Sequence, residues 1–216
     1  MYSLNKMEND AHNAKRIADL QRKKEIAESW HPQQEKLIRI WGEKCLGYRW
    51  LHDRTAKYHS VIHRNMSIAT IMGSAVAGIG TMTASGSGGM IIPATMYAFS
   101  MINLATAALA SIHKFLRSGE KYEANLQISK MFSGLARDIT MELSMEKEDR
   151  VLAFDYCNKI RLEYDKLIDI APDIPEEVIK KYKEMMELED PEGIIHKPDV
   201  ANGKFKIYSS YSYADV

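Results

Sequence analysis

Residues 65–113 contain no Asp, Glu, Lys or Arg, and all 58 formally charged side chains lie outside this window. A helix in water keeps a wetted, usually charged face. An uncharged run of this length is cheaper to hide in lipid than to hold in solution. Two apolar segments fill the window: residues 66–83, MSIATIMGSAVAGIGTMT, and residues 90–112, MIIPATMYAFSMINLATAALASI. At about 1.5 Å per residue the shorter one reaches about 27 Å, close to the minimum for a bilayer core. Ser85-Gly86-Ser87-Gly88-Gly89 lies between them, and the glycines Gly86, Gly88 and Gly89 disfavour helix and read as a turn. The expected fold class is therefore an all-α membrane protein, a two-span transmembrane helical hairpin with long cytosolic helical arms.

Within the spans, Ala69, Gly73, Ala77 and Thr81 recur every four residues, a small-residue row that lets a neighbouring helix approach. Asn103 is the polar residue near the middle of the second span and is expected to bond across the pair or to another subunit. Pro93 falls in the first turn of that span, where it is tolerated. The expected organisation is a polar N-terminal helix over 1–32, an amphipathic arm over 33–65, the hairpin over 66–112, a C-terminal helical arm over 113–171, and a short helix with an extended docking tail over 172–216.

The first arm presents Leu37, Trp41, Cys45, Tyr48, Leu51, Thr55, Tyr58 and Ile62 at helical spacing, with Ile40 on one edge. Trp50 falls on the opposite side, with Arg39, Glu43, Asp53 and Lys57, and is either a partner contact or an exposed aromatic, the second being the expectation. The second arm presents Ala124, Ile128, Phe132, Leu135, Ile139 and Leu143. Leu116 and Tyr122 leave that stripe, so a change of register or a kink is expected near Ser118-Gly119. The hairpin puts both arms on one side, where they can pair antiparallel. Cys157, Ile160, Tyr164, Leu167 and Ala171 form a further face that Pro172 ends, and a short helix follows over 176–188. From Ile194 onward there is no helical pattern. Tyr208, Tyr211 and Tyr213 suit a partner groove.

Charge divides unevenly. Residues 1–64 carry 13 Lys+Arg against 8 Asp+Glu, and residues 114–216 carry 16 against 21. Neither balance resembles the dense basic surface of a nucleic-acid binder. Arg54, Lys57 and Arg64 precede the first span, and Lys114, Arg117 and Lys121 follow the second, while the turn has no basic residue. This asymmetry places both termini in the cytosol. The polar start of the chain does not read as a secretory signal, and Met1-Tyr2 does not suit myristoylation. Cys45 and Cys157, on apolar rows far apart, read as free thiols.

Chemistry-bearing patterns are sparse. His59 and His63 share a helical face and could form half a metal site with His113, but two ligands are too few, and a headgroup boundary accounts for them without a metal. Glu142, Glu146, Glu148 and Asp149 read as a solvated face. The glycines of the turn lack the Lys-Ser/Thr of a phosphate loop. No enzyme, metal or cofactor is expected. Ser67, Thr70, Ser74, Thr81, Thr83 and Asn103 could line a pore in an oligomer, but they read better as packing surface because no ionisable residue accompanies them.

The arm KLIRIWGEKCLGYRWLHDRTAKYHSVIHRN, running into two closely linked spans, and the return arm HKFLRSGEKYEANLQISKMFSGLARDITMEL resemble the SLATT group of two-span proteins with cytosolic helical arms, over roughly residues 33–165. The resemblance implies membership among proteins found in prokaryotic conflict systems, where they act as pore-forming effectors driven by attached sensor domains, and in large DNA viruses. No sensor domain is recognisable here. The expected function is thus a non-enzymatic membrane-anchored scaffold, as between an internal viral membrane and a capsid shell. An oligomeric pore-forming effector is the alternative. The expected partners are the lipid bilayer, other proteins through the arms and tail, and further copies of the chain, but not nucleic acid.

Overall fold

The computed structural model describes the backbone of residues 2–86 and 93–202 and the side chains of residues 12–80 and 96–202. The described residues are all-α, with no strand among them. Six long helices dominate: α1 (Tyr2–Ser29), α2 (Pro32–Gly86), α3 (Pro93–Leu116), α4 (Ser118–Ser144), α5 (Ala153–Ile170) and α6 (Glu176–Glu189). A 3-10 turn spans Lys147–Asp149, and a four-residue helix, α7, spans Asp199–Asn202. Several boundaries follow from local chemistry. Helix α1 ends at Ser29, Trp30 and His31 form the link, and Pro32 opens α2 at a position where its missing N–H is no loss. Ala171 adopts φ −68°, ψ 129°, the extended conformation favoured before Pro172, and α5 stops there. Glu176 and Glu177 place negative charge on the first turn of α6.

The chain forms two compact units, one of Met1–Leu51 with Ile128–Val216 and one of His52–Gln127. In the first unit the N-terminal half of α2 and the C-terminal half of α4 run antiparallel. Gly42 faces Ile139, with 3.1 Å between the isoleucine Cγ2 and the point a Cβ on the glycine would occupy, and Ser129 Oγ donates to the Arg49 carbonyl at 3.0 Å. Their shared core contains Ile38, Cys45, Tyr48, Leu51, Ile128, Phe132, Leu135 and Ile139. Trp41 and Leu143 are half-buried against it, and Leu37 is half-buried. Helix α5 adds Tyr156, Ile160, Tyr164 and Leu167, and α6 adds Val178, Tyr182 and Met186, each four or three residues apart as a single buried helical face requires. Tyr48 stacks on Phe132 with ring centroids 5.1 Å apart, and Tyr164 meets both rings edge-on at 6.3 Å.

The end of α4 is tied down by side chains from outside it. Arg150 donates from Nη2 to the Leu143 carbonyl and from Nε to the Met145 carbonyl, both at 3.0 Å, satisfying acceptors that a helix end leaves open. It also pairs with Glu35 at 2.7 Å and lies over the Trp30 ring. Burial raises the Glu35 pKa, but Arg150 and Lys147 more than offset this and hold the carboxyl below its usual range. Glu142, expected on a solvated face, is buried and accepts the Val151 N–H at 2.6 Å. The correction has a simple origin: α4 ends two residues later, and the returning chain crosses this side of the helix.

Two further expectations fail in this unit. Trp50 is not solvated but half-buried, packing on Tyr182 with centroids 5.3 Å apart. Residues 194–202, expected as part of a docking tail without helical pattern, dock on this chain's own α2, and Asp199–Asn202 form α7. Pro198 and Ala201 are buried, Lys44 pairs with Asp199 at 2.7 Å, and Glu43 accepts from the His196 N–H at 3.0 Å. Gly47 makes this possible, since a Cβ there would collide with the Pro198 ring and lie 2.8 Å from the Tyr182 hydroxyl. Tyr208, Tyr211 and Tyr213 lie outside the described residues.

The Tyr156 hydroxyl is buried without a hydrogen-bond partner among the described residues. Burial, and the nearby carboxylates Glu142 and Asp138, push its pKa upward. Tyr156→Phe removes an unsatisfied polar group at constant shape, and the unfolding free energy is expected to rise by about 1 kcal/mol. Chemical denaturation measures this, and a loss of stability would show that the hydroxyl is satisfied.

Candidate functional site

The second unit, His52–Gln127, contains the uncharged window. Here the C-terminal half of α2 runs antiparallel to α3. His63 meets His113, Gly73 meets Thr106, and Gly80 meets Phe99. Both glycines are sites of close approach, since an added Cβ would overlap the Thr106 and Phe99 side chains. The small-residue row therefore lies partly as expected. Gly73 is half-buried and Ala77 is buried, but Ala69 is exposed and the row shifts to Gly80. The Thr81 side chain, and Gly88 and Gly89 of the proposed turn, lie outside the described residues, while Gly86 ends α2. Asn103 is exposed rather than bonded across the pair. Thr106, three residues on, holds the interhelical position instead, because its shorter side chain fits against Gly73.

The outward surface of this pair is apolar. Ile68, Ile71, Met72, Val76 and Ile79 on α2 and Met96, Tyr97, Met101, Leu104 and Ile112 on α3 are all exposed. Large exposed apolar patches signal an interaction site. The polar groups nearby are spent locally: Thr70, Ser100, Thr106 and Ser111 each donate to the carbonyl four residues earlier, at 2.8–2.9 Å. Among the described residues one helical stretch, Met96–Ser144, is long and apolar enough to cross a membrane, with a mean hydropathy of 1.2 over its best window and none of that window buried.

Below the window, α2 meets α4 through polar groups that a search for apolar stripes passes over. Asn125 donates from Nδ2 to the Lys121 carbonyl at 2.8 Å, which turns its Oδ1 toward His52 Nδ1, also at 2.8 Å. The Nδ1 of His52 must then carry the proton. The buried row continues through His52, Thr55 and Ala56. Tyr58, expected in the arm interface, is 39% exposed and rests edge-on against His59, and Ile62 is half-buried. Leu51 and Thr55 of the expected stripe are buried, and the buried face extends beside them to His52 and Ala56, because an interior histidine does not score as apolar.

Burial lowers the pKa of both His52 and His59. The Asn125 bond partly opposes this at His52, and the Lys121 cation reinforces it at His59. A histidine whose folded pKa lies below its unfolded value takes up protons on unfolding. Its contribution to stability is complete above the unfolded pKa of about 6.5 and is lost as pH falls below it. Amide protection factors, measured against the intrinsic exchange rate at each pH, are therefore expected to fall in residues 52–65 and 118–127 between about pH 6.5 and pH 5, above the range where carboxylates titrate. Protection that stays flat across this interval would refute the assignment.

Helices α3 and α4 meet at Arg117, which takes φ 49°. This left-handed conformation costs a non-glycine residue about 1 kcal/mol, and it produces the break expected near Ser118-Gly119. A cleft of about 300 Å³ opens there, lined by His63, Thr70, Ala110, His113, Lys114 and the start of α4. His113 Nε2 and His63 Nδ1 are 3.0 Å apart, a hydrogen-bonded pair. Gly119 lets the His63 ring lie against the start of α4, 3.2 Å from where a Cβ would stand. His59 does not join the pair, and no group of three metal-ligating side chains occurs among the described residues. Cys45 is buried, with its thiol pushed up to about 12 by burial, and Cys157 is half-buried with its pKa also raised, so neither is poised as a nucleophile. No protein-family model matches the sequence, and neither a curated protein nor a solved structure matches it.

Proposed function

We propose that this chain is a non-enzymatic membrane anchor and scaffold. The uncharged halves of α2 and α3 cross a bilayer as a hairpin, and the helical unit formed by the remaining segments holds a protein partner at its surface. The observation that carries the reading is the outward apolar surface of the α2–α3 pair, where Ile71, Ile79, Met101 and Leu104 stand exposed in a stretch without a formal charge. In water that surface would be a liability, and in lipid it is the solvent-facing side. Self-satisfied hydroxyls support the same reading, because each polar group in the hydrocarbon needs an internal partner. A place between a viral membrane and its shell, and kinship with the SLATT group, remain parts of the proposal that rest on resemblance.

Exposed Phe154, Leu162 and Leu188 on α5 and α6 supply apolar surface for the protein partner. The test is topology. The full chain in native membranes is expected to resist alkaline carbonate. A Ser87→Cys variant should react with a membrane-impermeant maleimide only from the face opposite both termini. A chain that washes off as a folded monomer would end the proposal.

A further inference from the structure

We infer that the His63–His113 pair is an acid-sensitive latch. It holds α2 against α3 at the base of the uncharged pair while at least one imidazole is neutral, and it parts the two helices there once both are charged. The latch sits at the charged end of the α2–α3 pair and does not rest on the membrane reading.

The hydrogen bond itself sets the rule. His113 Nε2 and His63 Nδ1 are 3.0 Å apart, with ring centroids at 4.9 Å and planes inclined by 54°. A bond between two imidazole nitrogens needs an N–H on one ring and a lone pair on the other. With both rings neutral the condition is met. With one proton added the bond becomes charge-assisted and stronger. With two added, both facing nitrogens carry N–H, no lone pair is left between them, and like charges oppose each other across the same short gap. The bond is therefore kept above the pH at which the second proton binds and is lost below it. Histidine is the side chain whose charge ordinarily changes between about pH 5 and pH 8.

The surroundings close the usual escapes. A charged imidazole sheds repulsion by turning away or by meeting a carboxylate. The His63 ring lies against Gly119 of α4, 3.2 Å from where a Cβ would stand, so α4 blocks one side of it. The charged groups lining the same cleft are Lys114 of α3 and Arg117 and Glu120 of α4. Glu120 is the one carboxylate among them, and Arg117 already pairs with it. On α2, Arg64 follows His63 directly, and His59 lies one turn earlier. His59 Nδ1 is buried without a hydrogen-bond partner among the described residues, and the Lys121 cation of α4 opposes its protonation. Each proton taken up at this corner thus joins a surplus of positive charge.

Parting is confined to the base. Residues 66–112 hold no acidic, basic or histidine side chain, and Gly73 against Thr106 and Gly80 against Phe99 keep the rest of the pair together by close packing alone. Thr70, Thr106 and Ser111 donate within their own helices, so their protons do not bridge the pair.

The experiment uses the full chain in detergent, with spin labels on cysteines placed at exposed Val61 and Phe115 and with Cys157→Ser. Buried Cys45 stays. The distance between the labels is expected to widen from pH 7.5 to pH 5 and to recover on return. A second pair at exposed Ile71 and Leu104 should keep its distance. His63→Gln and His113→Gln should each make the first distance independent of pH, whereas His59→Gln should retain the widening. Glu120→Gln, which removes the carboxylate of the cleft, should move the widening to higher pH. A first distance that stays constant to pH 5 overturns the latch. So does equal widening in the two glutamine variants of the pair, which would assign the effect to His52 or His59. Widening at both label pairs alike would mean that the helices separate as a whole, and would overturn a latch at the base.

Discussion

Replacing Phe132 by alanine is expected to lower the unfolding free energy by about 3–5 kcal/mol. Phe132 is fully buried on α4, stacked on Tyr48 from α2 and met edge-on by Tyr164 from α5. Truncation removes the largest fully buried side chain in the unit and leaves a cavity bounded by three helices, each held by its own hydrogen bonds and poorly able to collapse. The two ring contacts add about 0.5–1.5 kcal/mol each beyond area burial. Denaturant titration of the detergent-solubilised chain measures the loss. Phe154→Ala, at a ring 73% exposed on α5, is the comparison and should stay within about 0.5 kcal/mol. Similar losses from the two variants would mean that Phe132 is not the centre of this core.

Leu104→Lys is the second large effect, and its size depends on the solvent. Leu104 is 65% exposed near the middle of α3. In water, exchanging an exposed leucine for lysine changes stability by no more than about 0.5 kcal/mol. At the centre of a bilayer the same exchange costs about 3 kcal/mol, since leucine is mildly favourable there and lysine strongly unfavourable. The membrane-resistant fraction is therefore expected to fall about a hundredfold relative to its aqueous counterpart, as read by carbonate extraction or by a glycosylation-based insertion assay. Ser144→Lys, at the end of α4, should insert like the parent. If Leu104→Lys also inserts like the parent, α3 does not face lipid.

The helical character of the chain was legible from spacing alone. Pro32 and Pro172 mark where helices begin or stop because a missing N–H and a restricted preceding residue act locally. The long uncharged window was equally legible, since it needs only the alphabet of the sequence. The buried faces of α4 and α5 followed from apolar recurrence: Ile128, Phe132, Leu135 and Ile139, then Ile160, Tyr164 and Leu167. Apolar recurrence misled at Tyr58, because the buried face there includes polar His52 bonded to Asn125.

What only the tertiary structure decided are the contacts between residues far apart in the chain. Arg150 with Glu35, Glu142 with the Val151 N–H, Pro198 over Gly47, and Trp50 on Tyr182 carry no periodic signature, since each depends on where a later segment crosses an earlier helix. The cleft at Arg117 belongs to the same class. A kink near Ser118-Gly119 could be read from the loss of the apolar stripe, but the convergence of His63, His113 and Lys114 exists only once α2 returns alongside α3. Local propensity and hydropathy act through neighbours within a turn or two, so the sequence determined which segments are helical and which are uncharged. Helix rotation, crossing segments and the placement of polar side chains depend on close packing summed over distant elements, and the folded chain alone settled them.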